Sequence, residues 1–201
     1  MVKTHPENES QSRNAGLSQI TSYAPSILIR RLCHEDIPPL HEAVRESLPN
    51  LCRWMTWCTG DYAIEDSRSF VLKSARAWDR REEFGFAIID VQDGSFLGSI
   101  GLNQLNPTHQ FANVGYWVRV SQAGRGVASA AVLLAARFAF EKLELRRLEF
   151  VIPMGNIASQ RVAQKAGAKF EGILRSRVAL GGHCHDAVMF SLVAADFVSI
   201  E

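Results

Sequence analysis

Apolar and polar positions along the chain repeat with two different periods, and these periods predict its secondary structure. A spacing of two predicts a strand, whereas spacings of three and four predict a helix. The pattern predicts strands over 27–33, 84–91, 95–104, 111–120, 147–152, 170–180 and 183–193. It predicts helices over 34–47, 64–79, 126–143 and 156–166, with Pro49 ending the first and Phe70 buried in the second.

The connections between these elements predict how the sheet is assembled. Asp93-Gly94 and Asn106-Pro107 are turn signals, so the strands that they join form an antiparallel meander. The strand–helix–strand succession over 111–152 predicts a parallel crossover. The fold class is therefore α/β (α+β), a mixed sheet of about seven strands with helices on both faces.

Composition restricts the domain organisation and the classes of partner. Residues 1–25 are rich in Ser, Asn, Gln and Glu, which predicts a flexible tail before a single domain over 26–201. The 22 basic and 21 acidic residues give a formal net charge of +1, so composition does not predict binding to nucleic acid. No apolar run could span a membrane or act as a leader, which predicts a cytoplasmic protein.

A glycine-containing loop joins the strand over 111–120 to the long helix. Gly124 and Gly126 lack side chains, so the backbone N–H groups at the helix start can approach an anion closely. Neither the phosphate-loop pattern G-x-x-x-x-G-K-[ST] nor the dinucleotide pattern G-x-G-x-x-G is present, since Ser129 occupies the third glycine position. The loop therefore predicts a phosphate or pyrophosphate site of another kind.

Several motifs appear together in a recognisable order. G-Y-W-V is followed by A-G-R-G-V-A and then by N-x-x-S-x-R-V-x-x-K-x-G, with L-C-R-W-M-T-W upstream and G-G-x-x-x-D downstream. This series resembles the GCN5-related N-acetyltransferase (GNAT) superfamily, and within it the RimJ/RimL-like ribosomal-protein N-terminal acetyltransferases. The resemblance implies a GNAT fold with a splayed cleft between two parallel strands, and an enzyme that uses acetyl-coenzyme A (acetyl-CoA).

The same resemblance implies which residues bind the cofactor. Val118 and Val120 would pair with the pantetheine arm, and the amide of Val118 or Arg119 would hold the thioester oxygen. The pyrophosphate would lie in the loop, and the helix over 156–166 would supply further contacts. The implied set is Val118, Arg119, Val120, Ala123, Gly124, Arg125, Gly126, Val127, Ala128, Ser129, Asn156, Arg161 and Lys165.

The chain departs from the family pattern at three positions. Ala123 replaces the usual Gln or Arg at the start of the loop. The tyrosine that acts as general acid in many relatives would fall at Ala163, and Ser159 is the substitute that the RimL-like branch implies. The glutamate of RimL-like enzymes would fall at about Val178, so the resemblance assigns no general base.

The acceptor side is less specific in sequence. Trp54 and Trp57 are candidates for an apolar wall, and Glu83 and Asn103 for polar acceptor contacts, although each also fits a structural role. His183 to Asp186 alternate in direction along a strand, which leaves two pairs and predicts no metal site.

The leading hypothesis is transfer of acetyl to a primary amine by direct transfer in a ternary complex. The acceptor is expected to be a protein or peptide N-terminal α-amine, with a small-molecule amine as the alternative. A non-catalytic acyl-CoA-binding module and a purely structural protein are further alternatives. The resemblance also implies a homodimer.

Overall fold

The computed structural model describes residues 19–21 and 26–197 and contains one eight-stranded mixed sheet. The helices are α1 (Ile37–Leu51), α2 (Ile64–Asp79), α3 (Val127–Lys142), α4 (Ile157–Lys165) and α5 (Ala194–Phe197). The strands are β1 (Gln19–Thr21), β2 (Ile27–Arg31), β3 (Phe84–Asp90), β4 (Phe96–Asn106), β5 (Phe111–Val118), β6 (Arg147–Pro153), β7 (Lys169–Leu180) and β8 (His183–Val193).

The strands follow the order β1-β2-β3-β4-β5-β6-β8-β7, and every neighbouring pair is antiparallel except β5 and β6. The predicted meander, the parallel crossover and the closing hairpin are confirmed. Strand β1 lies within the segment expected to be a tail and pairs with β2. The rest of 1–25 lies outside the described residues.

Helix α1 differs from its predicted end, because Pro49 lies inside the helix, which continues to Leu51. A proline in the last turn removes one backbone hydrogen bond without breaking a long run of them. The buried side chain of Leu51 packs with Leu40 and Val44, which holds this last turn against the sheet.

Helices cover both faces of the sheet, as predicted. Helix α3 packs on one face in the larger apolar cluster, with Val114 of β5. Helix α1 and Val71 of α2 pack on the other face with Trp117, three residues further along β5. Phe70 does not join this core, contrary to expectation. It is 41% exposed, because it borders an open cavity beside α2.

Within the described residues, no helix is long and apolar enough to cross a membrane. The same part of the chain brings together no group of three or more His, Cys, Asp or Glu side chains suited to a metal ion. His183, Cys184, His185 and Asp186 are exposed on β8, where the Asp186 carboxylate accepts a hydrogen bond from the Ser176 N–H at 2.8 Å.

Candidate active site

The two parallel strands separate to form an open cleft. Strands β5 and β6 pair only over Phe111–Asn113 and Arg147–Glu149. Beyond this short ladder, β5 continues beside β4 and β6 continues beside β8. Helix α3 begins after the end of β5 and α4 after the end of β6, so both helix N-termini lie at the cleft end of the sheet.

The last residue of β5 directs its backbone into this cleft. Val118 lies opposite Gly98, and the next N–H, that of Arg119, donates to the Leu97 carbonyl at 2.8 Å. This pattern makes Val118 and Gly98 a non-hydrogen-bonded pair. The N–H and C=O of Val118 therefore point away from β4, where an extended ligand could pair with them.

The predicted phosphate loop forms a cradle at the start of α3. Gly124 and Gly126 have φ angles of +78° and +84°, which glycine adopts without strain. Gly126 is the N-cap, and no side chain caps the helix. The first N–H groups of α3, from Val127 to Ser129, have no partner within the helix, so they are available to an anion.

The side chains beside the cradle suit the same ligand. Arg125 is exposed, and its guanidinium donates to the Gln122 amide oxygen at 2.9 Å. Ala123 stands where the family has a polar residue, so backbone N–H groups and Arg125 are left to contact a phosphate group. Bare amides, two glycines and one cation fit a pyrophosphate.

Helix α1 holds the segment that leads into the cradle, a feature that the sequence analysis missed. The Ser47 hydroxyl accepts from the Val120 N–H, and the Glu46 carboxylate accepts from the Ser121 N–H, each at 2.9 Å. Arg119 donates to Glu46 at 2.8 Å and to Glu42 at 2.7 Å. Hydrogen bonds from Ser121, and then from Arg119, lower the pKa of Glu46 to about 2.

These contacts distinguish the predicted backbone partners of the pantetheine arm. The Val120 N–H is bonded to Ser47, and its carbonyl accepts from the Ala123 N–H. The Arg119 N–H is bonded to Leu97. Of the three predicted residues, Val118 is therefore the one whose N–H and C=O both face the cleft.

Ser159 lies at the cleft on the first turn of α4. The Asn156 side-chain oxygen accepts from the Ser159 N–H at 3.1 Å and caps the helix. The hydroxyl of Tyr116, on β5, lies 2.9 Å from the Ser159 hydroxyl and 3.0 Å from the Ser159 carbonyl. A carbonyl only accepts, so both contacts are satisfied when Tyr116 donates to it and accepts from the Ser159 hydroxyl.

Tyr116 was not singled out from the sequence, although it belongs to the quoted G-Y-W-V motif. Its phenol reaches α4 from the opposite side of the cleft, whereas Ala163, the position of the family's tyrosine, is fully buried. Burial raises the pKa of Tyr116 to about 12, so the hydroxyl remains protonated at neutral pH. Arg161 and Lys165 are exposed on α4, four residues apart.

Three of the four predicted acceptor-side residues line one cavity. Trp57, Glu83 and Asn103 border a space of about 310 Å³ between the sheet and α2, together with Tyr116. We call this space the acceptor cavity. Trp54 lies elsewhere, against Gly155 and beneath the guanidinium of Arg53, which is 4.8 Å from its ring centre.

Three glycines form the floor of the acceptor cavity. Gly85, Gly101 and Gly115 are opposite one another on β3, β4 and β5, and all three line the cavity. A Cβ at Gly101 or Gly115 would meet its nearest neighbour at 3.5 or 3.4 Å, but a Cβ at Gly85 would lie 2.3 Å from the Ser74 hydroxyl. Because Gly101 and Gly115 carry no side chains, the space above them stays open to a ligand.

Comparison with known sequences identifies a family. Residues 26–169 match the acetyltransferase (GNAT) domain. YdaF of Bacillus subtilis is 28% identical over 173 residues, which cover 85% of this chain and 93% of YdaF. The ribosomal-protein-serine acetyltransferase of Escherichia coli is 22% identical over 177 residues, 88% of this chain and 98% of that protein.

Solved structures share the fold and hold the ligand that the cradle suits. RimL, a ribosomal L7/L12 α-N-protein acetyltransferase solved with coenzyme A, aligns with a TM-score of 0.79 and 22% identity, over 87% of this chain and 97% of that one. The microcin C7 self-immunity acetyltransferase MccE, solved with acetyl-CoA and AMP, aligns with a TM-score of 0.78 and 20% identity, over 83% and 92%.

Proposed function

The chain belongs to the GNAT acetyltransferase family, and on this basis we propose that it acetylates the N-terminal α-amine of a polypeptide by direct transfer from acetyl-CoA. The observation that carries the proposal is the cleft itself. An uncapped anion cradle lies at the end of β5, and a serine–tyrosine hydroxyl pair spans from β5 to α4. The acceptor cavity reaches the same tyrosine.

Acetyl-CoA is the acetyl donor, since RimL and MccE of this fold were solved with coenzyme A and acetyl-CoA. The N–H groups from Gly124 to Ser129, with Arg125, hold its pyrophosphate in this proposal. Val118 pairs with the pantetheine arm, and Asn156, Arg161 and Lys165 border the cleft from α4. The bound donor supplies an activated thioester, and the protein orients it.

The residues at the cleft support the transfer in two ways. The Val118 N–H, directed into the cleft, stabilises negative charge on the thioester oxygen. In the absence of the donor, the Ser159 hydroxyl donates to Tyr116. During transfer it turns to protonate the departing thiolate, and the proton that the attacking amine loses returns to Ser159 through water, so no charge remains on the serine. A peptide α-amine has a pKa of about 7.7–8.0 and is substantially neutral at pH 7–8, so a dedicated carboxylate base is not required.

A polypeptide acceptor is favoured by the relatives and by the shape of the cavity. The matched Escherichia coli protein is a ribosomal-protein-serine acetyltransferase, and RimL is an α-N-protein acetyltransferase. The glycine floor leaves room for a slender extended chain, and Glu83 places a carboxylate beside it that attracts an ammonium group. A small-molecule amine is the competing acceptor.

Two further expectations concern location and assembly. We expect a cytoplasmic enzyme, because ribosomal proteins are in the cytoplasm, and a homodimer, as the family resemblance implies. Strand β7 is an edge of the sheet and exposes Phe170 and Ile173, which suits a contact between two copies. Light scattering across a tenfold concentration range tests the dimer, and a constant monomer mass excludes it.

The experiment that tests the function has two stages. Calorimetry first measures acetyl-CoA binding, and release of free thiol is then followed with N-terminal peptides, polyamines and aminoacyl conjugates. We expect binding together with turnover of N-terminal peptides. Turnover of small amines alone would exclude a polypeptide acceptor. Binding of acetyl-CoA without any turnover would identify a non-catalytic binding module. Absence of acetyl-CoA binding would exclude the cradle as a pyrophosphate site.

A further inference from the structure

A second, larger concave surface adjoins the acceptor cavity. It encloses about 1120 Å³ between α2, the β4–β5 turn and the chain after α3. Lys73, Glu83 and Phe84 line both this surface and the acceptor cavity, so the two are continuous. We call it the α2 groove.

The α2 wall of this groove is basic. Lys73 and Arg76 lie on α2, and Arg80 is its C-cap residue; their spacings of three and four place all three on one face of the helix. Arg81 follows Arg80 and also lines the groove. All four side chains are exposed, and none forms an ion pair in the described part of the chain. Four unpaired cations on one wall form a surface complementary to carboxylates.

The groove has a charge order along its length. Where the groove adjoins the acceptor cavity, the charges of Glu83 and Lys73 balance, whereas the part lined by the groove alone has Arg76, Arg80 and Arg81 against the single carboxylate of Glu82. This order suits a ligand that begins with an ammonium group and continues with negative charge. It opposes a uniform polyanion such as RNA, whose phosphates would meet the two carboxylates.

From this arrangement we propose that the α2 groove binds an acidic segment of the acceptor polypeptide, a few residues after its N-terminal amine. The proposal rests on the proposed function, since the amine must lie in the acceptor cavity. Lys73 to Arg80 span about 10 Å at roughly 1.5 Å per helical residue. About three extended residues cover that distance, which gives the length of the recognised segment.

The test compares three nine-residue peptides that share their first three residues and carry Glu, Gln or Lys at positions 4–6. Free-thiol release gives kcat and KM for each peptide. We expect the acidic peptide to exceed the basic one about tenfold in kcat/KM at low ionic strength, mainly through KM. The preference should shrink at about 0.5 M salt, because exposed charges are screened.

Substitutions on one helix locate the effect. Arg76→Glu should lower kcat/KM for the acidic peptide about fivefold or more and raise it for the basic peptide. Arg68→Glu is the matched control, because Arg68 is exposed on α2 but lies near His34, at 3.5 Å, outside the groove. A dipeptide amide with the same first residues reports whether each variant is folded and active.

The outcomes separate this inference from the proposed function. Absence of turnover of every peptide and of the dipeptide amide by the wild type contradicts the proposed function. Turnover of all three peptides at equal kcat/KM contradicts only the groove proposal. A ten-nucleotide single-stranded RNA is added as a competitor of the peptides. If the RNA inhibits the wild type but not Arg76→Glu, and the peptides show no charge preference, the groove proposal is overturned and the groove is assigned to nucleic acid.

Discussion

At the scale of single residues, the proposed chemistry depends on two hydroxyls that are 43 positions apart in sequence. Tyr116 and Ser159 meet across the cleft at 2.9 Å. Ser159 is placed by its helix cap, and Tyr116 by burial within the sheet. The pair thus joins the two elements whose separation opens the cleft.

Ser159→Ala should reduce kcat by about two orders of magnitude, because it removes the proposed proton donor. The KM for acetyl-CoA should change much less, since the cradle is separate from α4. Steady-state thiol release at saturating peptide measures both constants. Retention of full kcat between pH 6.5 and 9.5 would falsify the assignment of Ser159.

Tyr116→Phe should lower kcat about fivefold, because both hydrogen bonds between the two residues are lost, including the one that orients the Ser159 hydroxyl. With the pKa of Tyr116 near 12, the hydroxyl is protonated throughout the range from pH 6.5 to 9.5, so the ratio of wild-type to variant kcat should be independent of pH. A ratio that changes with pH in that range contradicts a positioning role. Tyr62→Phe, in the α1–α2 region, is the matched control.

At the scale of elements, α1 holds the segment that leads into the proposed anion cradle, although it contributes no residue to the cradle. Glu46 and Ser47 accept the N–H groups of Ser121 and Val120. The loop is thereby held from behind, while the amides at the start of α3 face outward. Helix α1 is therefore part of the support for the cleft, a role that its sequence pattern does not predict.

Glu46→Gln should raise the KM for acetyl-CoA about threefold to tenfold, because the loop loses charged hydrogen bonds that position it. Glu42→Gln is the control, since Glu42 is 71% exposed and contacts only Arg119 in this region. The Glu46 pKa is lowered to about 2, so its contacts are complete above about pH 4.5 and are lost as pH falls through 2. Equal effects of the two substitutions would contradict the special role of Glu46.

Gly101→Ala should raise the KM for a peptide acceptor while leaving thermal stability nearly unchanged, because its Cβ enters the cavity without a clash. Gly85→Ala should instead lower stability by about 1 kcal/mol or less, because the Ser74 hydroxyl, 2.3 Å from the added Cβ, must rotate away. Peptide kinetics and thermal melts distinguish the two effects. An unaltered acceptor KM in Gly101→Ala means that the acceptor does not cross this floor.

At the scale of the whole molecule, a charged network ties together the strands on the far side of the cleft. Arg147 on β6 donates to Glu149 at 2.8 Å and to Glu171 on β7 at 2.7 Å, and Glu171 also accepts from Ser191 on β8. Arg147 lies opposite Phe111, where the parallel ladder begins. The network therefore holds β7 and β8 to the strand that forms one side of the cleft.

Glu171→Gln should lower the melting temperature at pH 7 by a few degrees, equivalent to about 1 kcal/mol or less because the side chain is 39% exposed. Hydrogen bonds from Arg147 and then Ser191 lower the pKa of Glu171 to about 2. The folded-state pKa is depressed, so the stabilisation is present above about pH 4.5 and is lost as pH falls through 2.

The melting temperature of the variant should accordingly depend less steeply on pH between 4.5 and 2 than that of the wild type. Glu141→Gln, at an exposed pair with a 3.9 Å separation, is the control and should leave the pH dependence unchanged. Parallel melting curves for Glu171→Gln and the wild type across this pH range would contradict the assignment.

The sequence by itself determined the succession of strands and helices from β2 to β8 and the glycine cradle, because these depend on local periodicity and on turn residues. The family resemblance also pointed to Asn156 and Ser159, which lie together at the start of α4, where Asn156 caps the helix. The end of α1 was mispredicted because the burial of Leu51, a tertiary contact, outweighs the effect of Pro49.

Only the tertiary structure decided which distant residues meet. Strand register aligns Gly85, Gly101 and Gly115, and the divergence of β5 and β6 brings Tyr116 to Ser159. The same packing separates Trp54 from Trp57, although they are three residues apart. Such contacts depend on long-range pairing and on how two strands separate, and no local pattern encodes either.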